Sequence, residues 1–351
     1  MKREDKGMPF LLKYENVAWY EDGIVKILDR RVYPTKKHFV ICENYHEVIK
    51  AIQDMVTQSA GPYTAVGMGM ALAAYQCKDM AEDKQLDFLL QASKELGNAR
   101  PTTANRYKKI TDRAYEVAKK AIQDGSSPID AIIEDTVDSL NRRYSTMQKV
   151  GDYLVDLFPD HSGILTQCYG ETIIGAIIRA ARRTNKVFKI YDAETRPFMQ
   201  GARLTASCFA ESGFDTTVLT DNMINFGLEH ERIDFYTSAA DTIAMDGHIA
   251  NKIGTKQIAI LANRVGVPYF VTGIPDTDKK DTNSIKIEFR DPNQVLEFQG
   301  TRVCAPNVHA IYPAFDITPP ELIGGIVTDK GVYSPYNLNK YLTDGKVEEF
   351  Y

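Results

Sequence analysis

Cysteine is sparse in this sequence. The five that occur, Cys42, Cys77, Cys168, Cys208 and Cys304, are odd in number and show no C-x-x-C spacing. That pattern offers neither a disulfide framework nor a thiolate zinc motif. No apolar run approaches the ~20 residues that a membrane helix requires. The opening M-K-R-E-D-K-G is charged and no apolar stretch follows it, so a signal-peptide pattern is missing. Positive charge is not in excess: the net charge is -5 and the pI near 5.8. Nucleic acid and anionic membranes are therefore not the expected partners, although a local cluster of donors can still hold a small anion. The six histidines are scattered, and none reads as a metal ligand. No G-x-G-x-x-G opens a helix after a strand. The one G-x-G, at 67–69, lies inside a helical pattern and lacks its third glycine. The expectations are a reducing, cytoplasmic setting and no metal or cofactor.

With 351 residues, 44% of them hydrophobic and 25% charged, the chain is of soluble globular type and long enough for two domains. Residues 1–150 read as a β-hairpin followed by a helical domain. Val17-Ala18-Trp19-Tyr20, a turn at Glu21-Asp22-Gly23, and Ile24-Val25-Lys26-Ile27-Leu28 give the hairpin. From Tyr45 the period changes to about 3.6 residues, and Val48, Ile52, Met55 and Val56 share a helix face. A helix rich in small residues spans 65–74 and longer patterns fill 106–123 and 129–157.

Residues 151–351 alternate strand and helix, which predicts a Rossmann-like parallel sheet domain and an α/β fold class overall. Strands are expected around 163–168, 186–191, 216–220, Phe235 and 268–272. One amphipathic helix is expected near 321–327. In such a sheet, ligands sit in the crevice at the carboxyl ends of the strands. Three loops should meet there. One holds Cys168, a second is 192–202, and the third is 237–255, T-S-A-A-D-T-I-A-M-D-G-H-I-A-N-K-I-G-T, read as a strand-to-helix connection. Together they offer a thiol, carboxylates, an amide, a guanidinium and an ammonium. A thiol beside a carboxylate suits proton transfer on a sugar carbon better than hydrolysis, which would want a histidine tied to the thiol. Each residue also has an ordinary structural reading: Cys168 as a small buried hydrophobe, Arg196 as an ion-pair former, Gln200-Gly201 as a helix-start turn, Lys252 as a solvated cation.

Several longer stretches are informative together. E-T-R-P-F-M-Q-G-A-R-L-T at 194–205 resembles the E-T-R-P-x-x-Q-G-A-R-L-T signature of the methylthioribose-1-phosphate isomerases. The 237–255 stretch, L-T-Q-C at 165–168, A-R-P-T at 99–102 and P-A-F-D-I-T-P at 313–319 resemble other elements of that family, in the same order, from about residue 15 to about 335. The family also contains ribose-1,5-bisphosphate isomerases, 5-deoxyribose-1-phosphate isomerases and regulatory subunits of a translation-factor nucleotide exchanger. The resemblance implies conversion of an aldose 1-phosphate to a ketose 1-phosphate. Asp241 would be the general acid/base, and Cys168 would stabilise the transition state or share the proton work. Gln200, Asn251 and Lys252 would hold sugar hydroxyls and the developing oxyanion, and Arg100 would contact phosphate. It also implies a homodimer.

This sequence departs from the family at three places. Where the family's phosphate loop reads R-G-A-P, it has Ser59-Ala60-Gly61-Pro62, so backbone N–H groups at the following helix start are left to bind an anion. The family's Asp-Arg pair is Asp241-Thr242, and its N-G-D is Asp246-Gly247-His248. These changes point to a paralogue acting on a 5-modified ribose 1-phosphate, either 5-methylthio or 5-deoxy. The alternatives are an isomerase of another sugar phosphate and a non-catalytic regulatory or sensing subunit of the same fold. The sulfur of Cys168 and the carboxyl of Asp241 are expected to face each other at the rim of one sheet.

Overall fold

The computed structural model describes residues 3–100 and 104–345. These residues divide into two compact units, with the boundary between residues 146 and 147.

In the first unit, β1 (Ala18–Glu21), β2 (Ile24–Leu28) and β3 (Phe39–Cys42) form an antiparallel meander. Asp22 and Gly23 both have positive φ, 48° and 84°, the two-residue turn whose twist suits a hairpin. Five helices follow: α1 (Tyr45–Gln53), α2 (Gly61–Cys77), α3 (Glu82–Gly97), α4 (Ala104–Gln123) and α5 (Pro128–Leu157), the last turns of α5 being numbered with the second unit. Asn44 caps α1 by accepting the Glu47 N–H at 3.1 Å. The helix stops at Gln53, so Met55 and Val56 do not extend its face; Met55 is already left-handed at φ 59°. The small residues of α2 serve packing. A Cβ on Gly67 would fall 2.6 Å from Thr136, and one on Gly69 would fall 3.0 Å from Leu96. Almost the whole of α2 is buried, so it forms the core of this unit.

The second unit is built on a seven-stranded sheet. Its strands are β4 (Ser162–Gln167), β5 (Phe188–Ala193), β6 (Thr216–Leu219), β7 (Phe235–Ala239), β10 (Tyr269–Thr272), β14 (Gly325–Thr328) and β15 (Gly331–Tyr333), in the order β15-β14-β10-β7-β4-β5-β6. All neighbours are parallel except β14 and β15. One face carries Ile164, Ile190 and Phe235 against Phe158 and α6 (Glu171–Thr184). The other carries Leu165, Tyr191, Tyr236 and Val271 against α8 (Ile224–His230) and α9 (Thr255–Val265). Helices on both faces explain why these strands are apolar on both sides. From β4 the chain winds outward through β5 and β6. It then returns to lay β7 on the other side of β4 and continues through β10 to β14. The order therefore reverses between β4 and β7, and the crevice for ligands lies at the carboxyl ends of that pair.

Two expectations are corrected here. The stretch 237–255 is not a plain strand-to-helix loop. It folds back as a hairpin of β8 (Thr242–Ile243) and β9 (Ile249–Lys252), and β13 (Phe315–Thr318) pairs with β9 on the other side. Gly247, at φ 88°, makes the turn, and Asp246 accepts the His248 N–H at 3.1 Å. Asn251 and Lys252 thus sit on a strand that is buried at all four positions. The helix expected near 321–327 is only a single 3₁₀ turn, Pro320–Leu322, followed by β14. The β-branched run Ile326-Val327-Thr328 is covered on both faces beside β10, and a Cβ on Gly325 would already lie 2.8 Å from Phe270. In so short an apolar run, tertiary burial decides between helix and strand.

The remaining elements are short. Residues 206–211 form α7 (Ala206–Glu211) after a π-helical turn. The connection from β10 to β13 carries α10 (Asn293–Leu296) and the small ribbon β11 (Glu297–Phe298) with β12 (Thr301–Arg302). Near the end lies α11 (Asn339–Thr343). No helix among the described residues is long and apolar enough to cross a membrane.

Candidate active site

Cys168 follows β4 directly and takes a left-handed conformation, φ 61°. Its neighbours hold that uncommon backbone in place. The Cys168 N–H donates to Thr195 Oγ1 at 2.9 Å, and the Thr205 hydroxyl donates to the Cys168 carbonyl. Thr195 in turn donates to the Ala193 carbonyl at 3.0 Å. The Thr195 and Arg196 N–H groups donate to the Asp221 carboxylate at 2.9 and 2.7 Å. Much of the E-T-R-P stretch is therefore scaffolding. The Arg196 guanidinium also serves structure, since it donates to the carbonyls of Pro197, Val295 and Glu297.

Gln200 is buried, and its Oε1 makes no hydrogen bond among the described residues. It precedes the π-helical turn Gly201–Thr205, a local widening that is common at functional sites. A Cβ on Gly201 would stand 1.8 Å from the Ala193 carbonyl, so glycine lets this turn lie on the end of β5.

Asp241 leaves the end of β7, its N–H donating to the Ala250 carbonyl at 2.9 Å, and its side chain is exposed. Asn251 and Lys252 approach from β9. Asn251 Nδ2 donates to Thr255 Oγ1 at 3.0 Å, and that hydroxyl donates to the Lys252 carbonyl at 2.7 Å. Gln167, at the end of β4, donates to the same carbonyl at 3.3 Å and to the Thr255 hydroxyl. The Lys252 ammonium lies 4.8 Å from the centroid of the Phe315 ring. Asp316, from the P-A-F-D element, accepts the Gly254 and Lys256 N–H groups at 2.8 and 3.1 Å. It caps the start of α9 and thereby orients the strand bearing Asn251 and Lys252.

Three ionisable side chains act on the Cys168 thiol in this crevice. Burial pushes the Cys168 thiol up to about 11; the Lys252 ammonium pulls it back, and the carboxylates of Asp241 and Asp192 push it up. At neutral pH the sulfur keeps its proton. Asp241 and Lys252 are thus both within electrostatic reach of Cys168, which three separate sequence segments did not guarantee.

Sequence reading gave no role to three nearby residues, although Asp192 was within its second loop. Asp192, at the carboxyl end of β5, is fully buried, and neither oxygen finds a hydrogen bond of good geometry. Burial, and then the Asp221 carboxylate, hold it well above the ordinary carboxylate range against a smaller pull from the Ala206 N–H. Asp192, separated from E-T-R-P by Ala193, opens the 192–202 loop but carried no role of its own in the sequence. Arg290 and Tyr312 lie in the irregular stretch between β10 and β13, where no periodicity marks a buried residue.

Ser59, Ala60, Gly61 and Arg100 belong to the first unit. Ser59 is left-handed, φ 57°, Ala60 is the residue before α2, and Gly61 opens that helix. The Gly61 N–H donates to the Gln58 carbonyl and the Tyr63 N–H to the Ala60 carbonyl, both at 3.1 Å, and Pro62 has no N–H, so this first turn offers an anion fewer donors than a helix start usually does. Behind it stands Arg30, fully buried, whose guanidinium donates to the Gln58 carbonyl and would lie 2.9 Å from a Cβ on Gly61. This second arginine was not singled out from the sequence. Arg100 is half-buried; Pro101 and Thr102, which complete its motif, lie outside the described residues.

Among the described residues, no three His, Cys, Asp or Glu side chains gather as metal ligands. A dinucleotide would place its pyrophosphate at the helix following β4. Here that helix begins with buried Glu171, an acidic side chain at the position where phosphate would sit.

Cys168 and Asp241 follow the neighbouring parallel strands β4 and β7 at their carboxyl ends, and Lys252 acts on the thiol from β9. The comparisons with known proteins agree on the family of the chain. The family model described as the initiation factor 2 subunit family matches residues 61–335. The chain belongs to that family. It is 32% identical over 343 residues to the methylthioribose-1-phosphate isomerase of Koribacter versatilis, covering 92% of this chain and 94% of that one. It is 33% identical over 336 residues to methylthioribose-1-phosphate isomerase 1 of Pseudothermotoga lettingae, covering 91% and 94%. Among solved structures it resembles 5-methylthioribose 1-phosphate isomerase from Pyrococcus horikoshii, with a TM-score of 0.81 and 30% identity over 97% of this chain and all of that one. The translation initiation factor eIF-2B subunit delta from A. fulgidus is as similar in fold, TM-score 0.81, at 27% identity over 93% and 99%.

Proposed function

We propose that this protein is an aldose–ketose isomerase acting on 5-methylthioribose 1-phosphate or its 5-deoxy counterpart. The observation that carries the reading is that Cys168 and Asp241 follow the neighbouring parallel strands β4 and β7 at their carboxyl ends, with Lys252 near enough to act on the thiol. The anomeric phosphate blocks the usual opening to a free aldehyde. Net conversion therefore breaks the C1–O4 ring bond, adds a proton to O4, removes one from the C2 hydroxyl, and moves one hydrogen from C2 to C1. Asp241, solvent-exposed at the rim, is the acid/base for these exchanges. Cys168, which holds a proton at neutral pH, shares that work. Gln200, whose Oε1 awaits a donor, and Asn251 and Lys252 hold the hydroxyls and the developing oxyanion. The sulfur substituent is favoured over the deoxy one because the relatives in hand carry that name.

The test is incubation of the purified protein with each of the two sugar phosphates, following ketose formation by NMR. Turnover is expected, with Cys168→Ser and Asp241→Asn each reducing it at least a hundredfold while circular dichroism stays unchanged. Near-wild-type rates in either variant would defeat the assignment. Binding without turnover in the wild type would transfer the site to a sensing role, as in a regulatory subunit. The homodimer implied by the family resemblance is part of the same proposal, and a light-scattering mass of one chain would refute it.

A further inference from the structure

In the first unit, a cleft between α2, α4 and α5 is lined by polar side chains from all three helices: Thr64, Arg113, Asp135, Ser139 and Arg143, beside Tyr63. α2 and α5 pass there in opposite directions. A Cβ on Gly67 would fall 2.6 Å from Thr136; earlier on α2 and later on α5, the Tyr63 ring lies 5.5 Å from the Arg143 guanidinium carbon. Asp135, Ser139 and Arg143 recur at helical spacing, so they share one face of α5.

Arg143 is 5% exposed, and neither its Nε nor its Nη2 makes a hydrogen bond among the described residues. These two nitrogens form one edge of the guanidinium plane, the edge that grips an oxyanion through two parallel N–H bonds. The nearby Tyr63 ring attracts the cation without satisfying those N–H groups. Thr64 is 1% exposed, and its hydroxyl is likewise unmatched among the described residues. Neighbouring Thr136 differs: its hydroxyl donates to the Ile132 carbonyl at 2.8 Å, the ordinary use of a helical threonine. Buried polar groups without partners are uncommon in folded proteins, and a buried charge without them is costly. The carboxylate on the wall is already engaged, since Arg113 Nε donates to Asp135 Oδ1 at 2.6 Å. Two guanidinium groups against one carboxylate leave the cleft with an excess of one positive charge. Its free volume is about 330 Å³ with the open mouth included, and only about 10 Å³ of that admits the centre of a water-sized group. That is room for one small group at the bottom and none for a sugar ring or a base.

We infer that this cleft binds a small oxyanion of phosphate or sulfate type. The Nε–Nη2 edge of Arg143 donates two N–H bonds to it and the Thr64 hydroxyl a third, while half-exposed Arg113 adds charge at the mouth and Asp135 is the one opposing group. None of these residues has a part in the isomerase reading above, so the inference stands apart from it.

The experiment titrates inorganic phosphate into the 15N-labelled protein at constant ionic strength, up to about 50 mM, so that general screening does not change. The Arg143 Nε–H resonance, assigned by its absence in Arg143→Lys, is expected to move saturably. In Thr64→Val the same movement should need at least threefold more phosphate. The second readout is thermal unfolding. Phosphate should raise the melting temperature of the wild type by binding the folded chain, and less than half as much in Arg143→Met. An Arg143 resonance that stays still overturns the inference. So does an equal thermal gain in wild type and Arg143→Met, which would place the anion elsewhere. Should Arg143→Met not fold by circular dichroism, the resonance alone decides: one that is still, or that moves alike in wild type and Thr64→Val, defeats the site. Neither readout depends on turnover, so failure of the isomerase reading leaves this test intact.

Discussion

Asp192→Asn isolates one buried proton. The Asp192 carboxyl is wholly enclosed at the end of β5, near Asp221, and both influences favour its neutral form. In the unfolded chain the same group ionises near the ordinary carboxyl value, about 3.9. Above that pH the folded protein keeps a proton that the unfolded chain has lost. Stability therefore falls as pH rises, from the unfolded value up to the raised folded one, at about 1.4 kcal/mol per pH unit for one proton. Asparagine has the same shape and no proton to lose, so that slope vanishes in the variant. Its amide, buried in the same place, adds an offset on the order of 1–3 kcal/mol that does not depend on pH. Urea unfolding of both proteins at intervals from pH 4 to pH 8, followed by circular dichroism, gives the difference directly. The variant should gain on the wild type with increasing pH through the lower part of that range. A difference that is flat with pH, or that grows in the wild type's favour, would show that Asp192 is ionised in the folded protein.

Two other substitutions test how the site is held. Thr255→Val removes the hydroxyl shared by Asn251, Gln167 and the Lys252 carbonyl. Leaving those buried groups unmatched should cost roughly 1–3 kcal/mol of stability and lower kcat more than tenfold, as thermal unfolding and steady-state kinetics will measure; unchanged kcat would show that Asn251 needs no such anchor. Gly201→Ala places a methyl group 1.8 Å from the Ala193 carbonyl. The turn must then shift, with a destabilisation of about 2 kcal/mol or more and loss of turnover; a melting temperature equal to wild type would contradict the tight approach.

Local sequence was sufficient for the frame. Asp22-Gly23 forces its hairpin, the small residues of α2 announce close packing, and the apolar strands separated by amphipathic helices specify a parallel sheet. The motifs around Cys168, Gln200 and Asp241 were legible because each lies at the end of one strand, where chain order alone brings it to the crevice. The roles within those motifs were less legible. Thr195, Arg196 and Asp316 share motifs with site residues but spend their hydrogen bonds on backbone, which only their partners reveal.

What tertiary structure alone decided are the pairings between distant segments. Whether 325–328 is helix or strand depends on β10 lying beside it, since the apolar run is too short for period to settle. Asn251 and Lys252 became strand residues because β13, some sixty positions later, supplies the missing hydrogen-bond partners. Asp192, Arg290 and Tyr312 have no sequence pattern at all; their chemistry arises from burial, which removes water from charges and hydroxyls and leaves the nearest side chain as the only partner. A linear sequence carries each residue's chemistry, but the cost of desolvating it is set by what the rest of the chain packs around it.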